Sequence, residues 1–206
     1  MAIQNPEPPE ASEQEAMRGL QQLRKDKFSA DVMGGAAPVL SDAHQVFTLG
    51  PSEINAGAGL DAAKAAGWRY LIGQPASVPA GGSSVGPLAV AEVSDQNGVY
   101  KFAQRQEGWL AKQTRQTMDI AAKLPAVNSG AYEIRMLRLP AISRIDALWL
   151  KNKGAGSDLI IPIASNSPDL VAGKSYTSDN FLTLVRALAK KPVFDNSPKS
   201  SESSSR

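Results

Sequence analysis

Gly82-Ser83-Ser84-Val85-Gly86 has the G-x-S-x-G spacing that, at a sharp strand-to-helix turn, exposes a serine nucleophile served by a histidine further along the chain. Here Pro87 and an apolar run follow Ser84, and His44, the sole histidine, lies upstream. No Ser-x-x-Lys offers a lysine base either, so a loop is expected. Gly57-Ala58-Gly59-Leu60-Asp61-Ala62 fits the loose G-x-G-x-x-A dinucleotide pattern, which needs a carboxylate ~20 residues on for the ribose. Ser77 to Gly82 has none, and the stretch reads as a turn into a small helix. Asp95-Gln96-Asn97-Gly98 starts like a calcium loop but lacks the alternating ligands and closing glutamate, so it reads as a hairpin turn.

Carboxylates are the remaining candidates for reactive groups. Glu92, Glu133, Asp146 and Asp158 fall in or beside expected strands, where two could converge as an acid–base pair or a metal clamp. Their spacing does not demand it, and Arg135 and Arg138 stand ready as partners for Glu133. Arg135, Arg138, Arg144, Lys151 and Lys153, with Trp149, would suit a face that stacks on a polyanion. Trp149 sits in an apolar run that favours burying it, and a net charge of +2 supplies little bulk attraction for nucleic acid. A solvated strand face is the expectation.

Composition narrows the classes further. With 42% hydrophobic and 20% charged residues the chain suits a globular domain, and its pI of 8.8 is only mildly basic. The absence of cysteine removes disulfides, thiolate nucleophiles and Cys-based metal sites, and one histidine cannot build a histidine metal site. No cofactor is expected. The acidic, proline-rich start MAIQNPEPPEASEQEAM has no apolar core of a secretory signal, and no run approaches the ~20 apolar residues of a membrane helix. A cytoplasmic protein without membrane contact is expected, with export lacking a cleaved signal as the alternative.

The elements that must position these groups centre on Ala131 to Ala164. Tyr132 to Leu139 alternates with Tyr132, Ile134 and Met136 on one face and Glu133, Arg135 and Leu137 on the other. Ile145 to Leu150 and Leu159 to Ile163 read as a hairpin around Gly154 and Gly156, with Pro162 at an edge or a bulge. Upstream, strands are expected at Val46 to Leu49, Trp68 to Ile72, Leu88 to Val93 and Val99 to Gln104, the last two closing a second hairpin. Leu60 to Ala66 reads as helical turns capped by Gly67.

Trp109 to Leu124 has the best helical periodicity, stopped by Pro125. A last helix, capped by Thr177 or Ser178, should bury Phe181, Val185 and Leu188. Near the start, Ser12-Glu13-Gln14-Glu15 matches a capping box for a peripheral helix to about Lys25, with a thin stripe of Ala16, Met17, Leu20 and Leu23 weakened by Gly19. Gln4 to Ala11, a linker at Gly34, Gly35 and Pro38, the loop Ala76 to Gly86 and the tail Ser197 to Arg206 are expected to lack regular structure.

The expected architecture is an α+β domain over 43–192, with a mostly antiparallel sheet of five to seven strands and two packed helices. Residues 1–42 form a disordered start, peripheral helix and linker, and 193–206 a Ser-rich tail. WRYLIG, YEIRMLRLP and DALWLKNKGAGSDLIIPI resemble stretches of small bacterial proteins, a likeness that implies no activity. The expected function is a soluble, non-catalytic interaction or accessory protein that binds a protein partner or a second copy of itself. Arg135, Arg138, Trp149, Leu20 and Leu23 are the binding candidates. The alternative is a hydrolase or transferase using carboxylates in a cleft beside the 76–86 loop.

Overall fold

Alternation along each strand decides which side chains are buried on which face. The structure is a computed structural model and describes residues 3–24, 39–73, 89–142 and 144–190. β1 (Val39–Thr48), β2 (Lys64–Gly73), β3 (Ala89–Gln96) and β4 (Val99–Glu107) form one antiparallel run. β5 (Tyr132–Leu139), β6 (Ile145–Asn152), β7 (Leu159–Ala164) and β8 (Tyr176–Thr177) form a second. β1 and β5 lie side by side and parallel, so one α+β sheet results, in the order β4-β3-β2-β1-β5-β6-β7-β8. The eighth strand beyond the expected seven is β8, whose two residues are too few to show any alternation.

Both expected hairpins are present. Asn97 and Gly98 turn β3 into β4 with φ of 57° and 84°, and the Asp95 carboxylate accepts from the Gly98 N–H at 2.7 Å. β8 pairs with β7 only at Leu159 and Ile160, and the β6–β7 register shifts at Asp146/Ala147, beside the partner of Pro162. The proline therefore sits where the ladder is already interrupted.

One face of the sheet is covered by α3 (Trp109–Ala122), whose Leu110, Ala111 and Ala121 pack with Val46, Leu71, Val90, Ile134, Met136 and Leu148. Pro125, expected only to stop this helix, also opens the short α4 (Pro125–Ser129). The opposite face is shared. α2 (Pro51–Asn55) and α5 (Ser178–Ala189) lie over Leu137, Leu139, Trp149 and Ile160, and the Thr177 hydroxyl caps α5 by accepting from the Asn180 N–H. Phe181 and Val185 are fully buried there, which at ~1.5–3 kcal/mol per large apolar side chain anchors this end of the chain.

α1 (Glu10–Arg24) covers the rest of that face, packing Ala16 and Leu20 against Trp68, Tyr70, Ile72 and Ala91. Four readings of this part of the chain are corrected. The helix starts at Glu10, so Ser12 is no cap: its hydroxyl is buried and accepts from the Tyr70 hydroxyl at 2.7 Å. Glu15 instead accepts from Arg18 and from the Phe102 N–H on β4. Gln4 is ordered by backbone bonds to Tyr132 and Ile134, because β1 kinks at Asp42 (φ 43°) and leaves that side of β5 open. Leu60–Ala62 is a single 3-10 turn, and Gly67 lies inside β2 at φ 147°, where a side chain would strike the Val93 carbonyl. The expected linker at Gly34, Gly35 and Pro38, the loop Ala76 to Gly86 and the Ser-rich tail lie outside the described residues.

Gly19 is a requirement of packing rather than only a weakness of the helix, since a Cβ there would overlap the base of the Phe102 ring. Gly19→Ala gains ~1 kcal/mol of helix propensity. It is nonetheless expected to lower stability by ~1–3 kcal/mol through forced displacement of that ring, read from urea denaturation. A more stable variant would show the ring moving aside freely.

Candidate functional site

Strand register carries charged groups into one row. His44 on β1 lies opposite Arg69 on β2, Arg69 opposite Glu92 on β3, and Glu92 opposite Gln104 on β4. In the other half, Arg138 on β5 lies opposite Asp146 on β6. Val46, Leu71, Val90, Met136 and Leu148, each two residues from a member of the row, pack in the core under α3, so the whole row is on the α3 side.

The row is tied together by charge-assisted hydrogen bonds. Arg69, fully buried, donates through Nε to Glu92 Oε1 at 2.8 Å and pairs through Nη2 with the same oxygen at 2.7 Å and with Asp146 Oδ2 at 3.3 Å. Arg138 donates through Nη2 to Glu92 Oε1 and through Nε to Asp146 Oδ1 at 3.2 Å. Gln104 Nε2 donates to Glu92 Oε2 at 2.7 Å. Burial alone would raise the Glu92 carboxyl, but the Arg69 charge and the Arg138 hydrogen bond outweigh it and hold the group at about 2. Arg138 is held above its ordinary value: burial opposes this, and Glu92 and Asp146 overcome it.

His44 is different in kind. It is fully buried, and neither ring nitrogen has a hydrogen-bond partner. Burial, reinforced by the Arg69 charge, lowers it from 6.5 to about 4, so the ring is neutral at ordinary pH. Arg69 Nη1 and the Thr114 hydroxyl on α3 are likewise buried without partners.

Two of the four carboxylates singled out from sequence, Glu92 and Asp146, do converge, with Arg69 and Arg138 between them. The other two do not join. Glu133 accepts from Arg135 Nε at 2.7 Å and pairs with Lys153. Asp158 accepts from Trp149 Nε1 at 2.8 Å and from the Asn152 N–H at 2.9 Å. Among the described residues no group of three His, Asp or Glu side chains could hold a metal ion.

Of the binding candidates, Arg135 and Trp149 meet: the Arg135 guanidinium lies over the rings of Phe47 at 4.7 Å and Trp149 at 4.9 Å. Trp149 is buried, so its ring is covered by the protein's own side chains and is not a free stacking surface. Arg138 is on the opposite face, in the charged row, while Arg144 is exposed at the β5–β6 turn. Leu20 is buried under α1. Leu23 lies in α1, with its side chain outside the described residues.

Sequence reasoning missed Arg69, Gln104 and the burial of His44. A signal was present for Arg69: it is the one charge inside Trp68-Arg69-Tyr70-Leu71-Ile72, and a charge within a buried strand needs a partner. Comparison with protein-family models, with curated proteins and with solved structures found no match. Among the described residues no helix is long and apolar enough to cross a membrane.

Proposed function

We propose that this protein is a non-catalytic interaction or accessory protein that binds a protein partner or a second copy of itself. The observation that supports it is the engagement of its carboxylates. Glu92 and Asp146, the pair an acid–base reaction would use, are each held by both Arg69 and Arg138. A carboxylate kept at about 2 accepts protons poorly near neutral pH, which weighs against the hydrolase or transferase reading.

The surface best suited to a partner runs along α3. Trp109 is 57% exposed, Ile120 follows three helical turns later on the same side, and Val171 is exposed in the loop that brings Gly173 against Ile120. Tryptophan is one of the residue types enriched among those that dominate binding at interfaces.

A photo-crosslinking residue in place of Trp109 is expected to capture one discrete protein, or a second copy of the chain, from cells that express it. The same residue at exposed Lys101 on β4 should not. Ile120→Glu is expected to weaken capture ~10-fold or more, the scale of losing one central contact. Equal adducts from positions 109 and 101, or none from 109, would remove this reading.

A further inference from the structure

The unpaired polar atoms under α3 point to a ligand rather than to packing. His44 and Arg69 are cross-strand partners on one face, where directly opposed side chains stand ~5 Å apart at Cβ. Arg69 spends Nε and Nη2 on Glu92 and Asp146, leaving Nη1 unpaired beside an imidazole with two unpaired nitrogens. Thr114 is buried in the α3–sheet interface with its hydroxyl unpaired, and its neighbour Arg115 ties α3 to the β1 kink through Asp42 at 3.1 Å. A buried donor left without an acceptor is costly, so Arg69 Nη1 and the His44 ring, neighbours across β1 and β2, call for a shared acceptor.

We propose that His44 and Arg69 form a binding site for a small monoanionic carboxylate, with one carboxylate oxygen taken by Arg69 Nη1 and the other by the His44 ring. The donor set fits: a guanidinium N–H and a protonated imidazole N–H both give hydrogen bonds to oxygen. The charges fit as well. The charged groups of the row, Arg69, Glu92, Arg138 and Asp146, sum to zero. A monoanion is balanced when His44 takes up one proton, whereas a dianion such as sulfate would face Glu92 and Asp146 with a charge to spare.

His44 is the sole histidine, so its ring Cε1–H gives a single unambiguous NMR signal. Sodium formate added to the full chain at fixed pH and ionic strength is expected to move that signal saturably toward the imidazolium position. Chloride and sulfate at equal ionic strength should leave it in place. Arg69→Lys, which keeps the charge but removes the fork, is expected to weaken the response at least tenfold. If that variant does not fold, the unmodified protein alone still decides. No movement with formate means that ordered water satisfies these atoms. Equal movement with chloride, or an undiminished response in folded Arg69→Lys, means that the ring senses salt or a site elsewhere. Each of these results overturns the proposal.

Discussion

Arg69→Met is expected to lower folding stability by ~3–5 kcal/mol, the cost of leaving a buried ion network without its central cation. Glu92 would lose two hydrogen-bonding contacts from Arg69 and Asp146 one, inside a sheet covered by α3. Because the damage is unbalanced charge rather than lost volume, a second substitution should undo part of it. Arg69→Met combined with Glu92→Gln leaves Arg138 facing Asp146 alone, and this double variant is expected to be more stable than Arg69→Met by itself. Urea denaturation of the two single variants and the double variant measures the coupling. Losses that simply add would mean that the row does not act as a unit.

The second large effect concerns acid. The His44 ring is depressed from 6.5 to about 4, so the folded protein binds fewer protons than the unfolded chain across that range. Stability is fully present above pH 6.5 and falls as the pH drops toward 4, by an amount on the order of 3 kcal/mol. Glu92, depressed from 4.5 to about 2, continues the loss below pH 4.5 with the same sign. The protein is therefore expected to weaken from mildly acidic pH downward, in two overlapping stages. His44→Gln should flatten the upper stage and leave the lower one. A variant whose stability between pH 6.5 and 4.5 still falls as steeply as the parent's would place the titrating group elsewhere.

The fold was more legible in the sequence than the site, for a physical reason. Strands such as Tyr132 to Leu139 announce themselves by alternation, hairpins by Asn97-Gly98 and the glycines at 154 and 156, and helices by apolar spacing and proline stops. These are local signals. Ser12 shows the limit of even local reading: the capping-box pattern was present, but Pro9 already accepts from the Ser12 N–H, and the hydroxyl is taken by Tyr70, 58 residues away. The parallel pairing of β1 with β5 had no local marker, because nothing in Gln45 to Thr48 names Arg135 to Arg138 as its neighbour.

The row depends on that same non-local register. Sequence could say that Glu92 and Asp146 lay in strands, and it could count the arginines. It could not say that Arg69 and Arg138, 69 positions apart, would close on the same two carboxylates. His44 was read as a residue without a metal role, and its burial with both nitrogens unpaired depends on packing by α3, a helix more than sixty residues later.

The claim on which the rest depends is that Glu92 remains an ionised partner of arginine and not a proton-exchanging group. Its side-chain carboxyl carbon, followed by NMR as the folded protein is acidified, measures this directly. The signal is expected to stay at the carboxylate position through pH 4.5 and to move only near 2. A midpoint at or above 4.5 would contradict the account and return Glu92 to consideration as a catalytic acid or base.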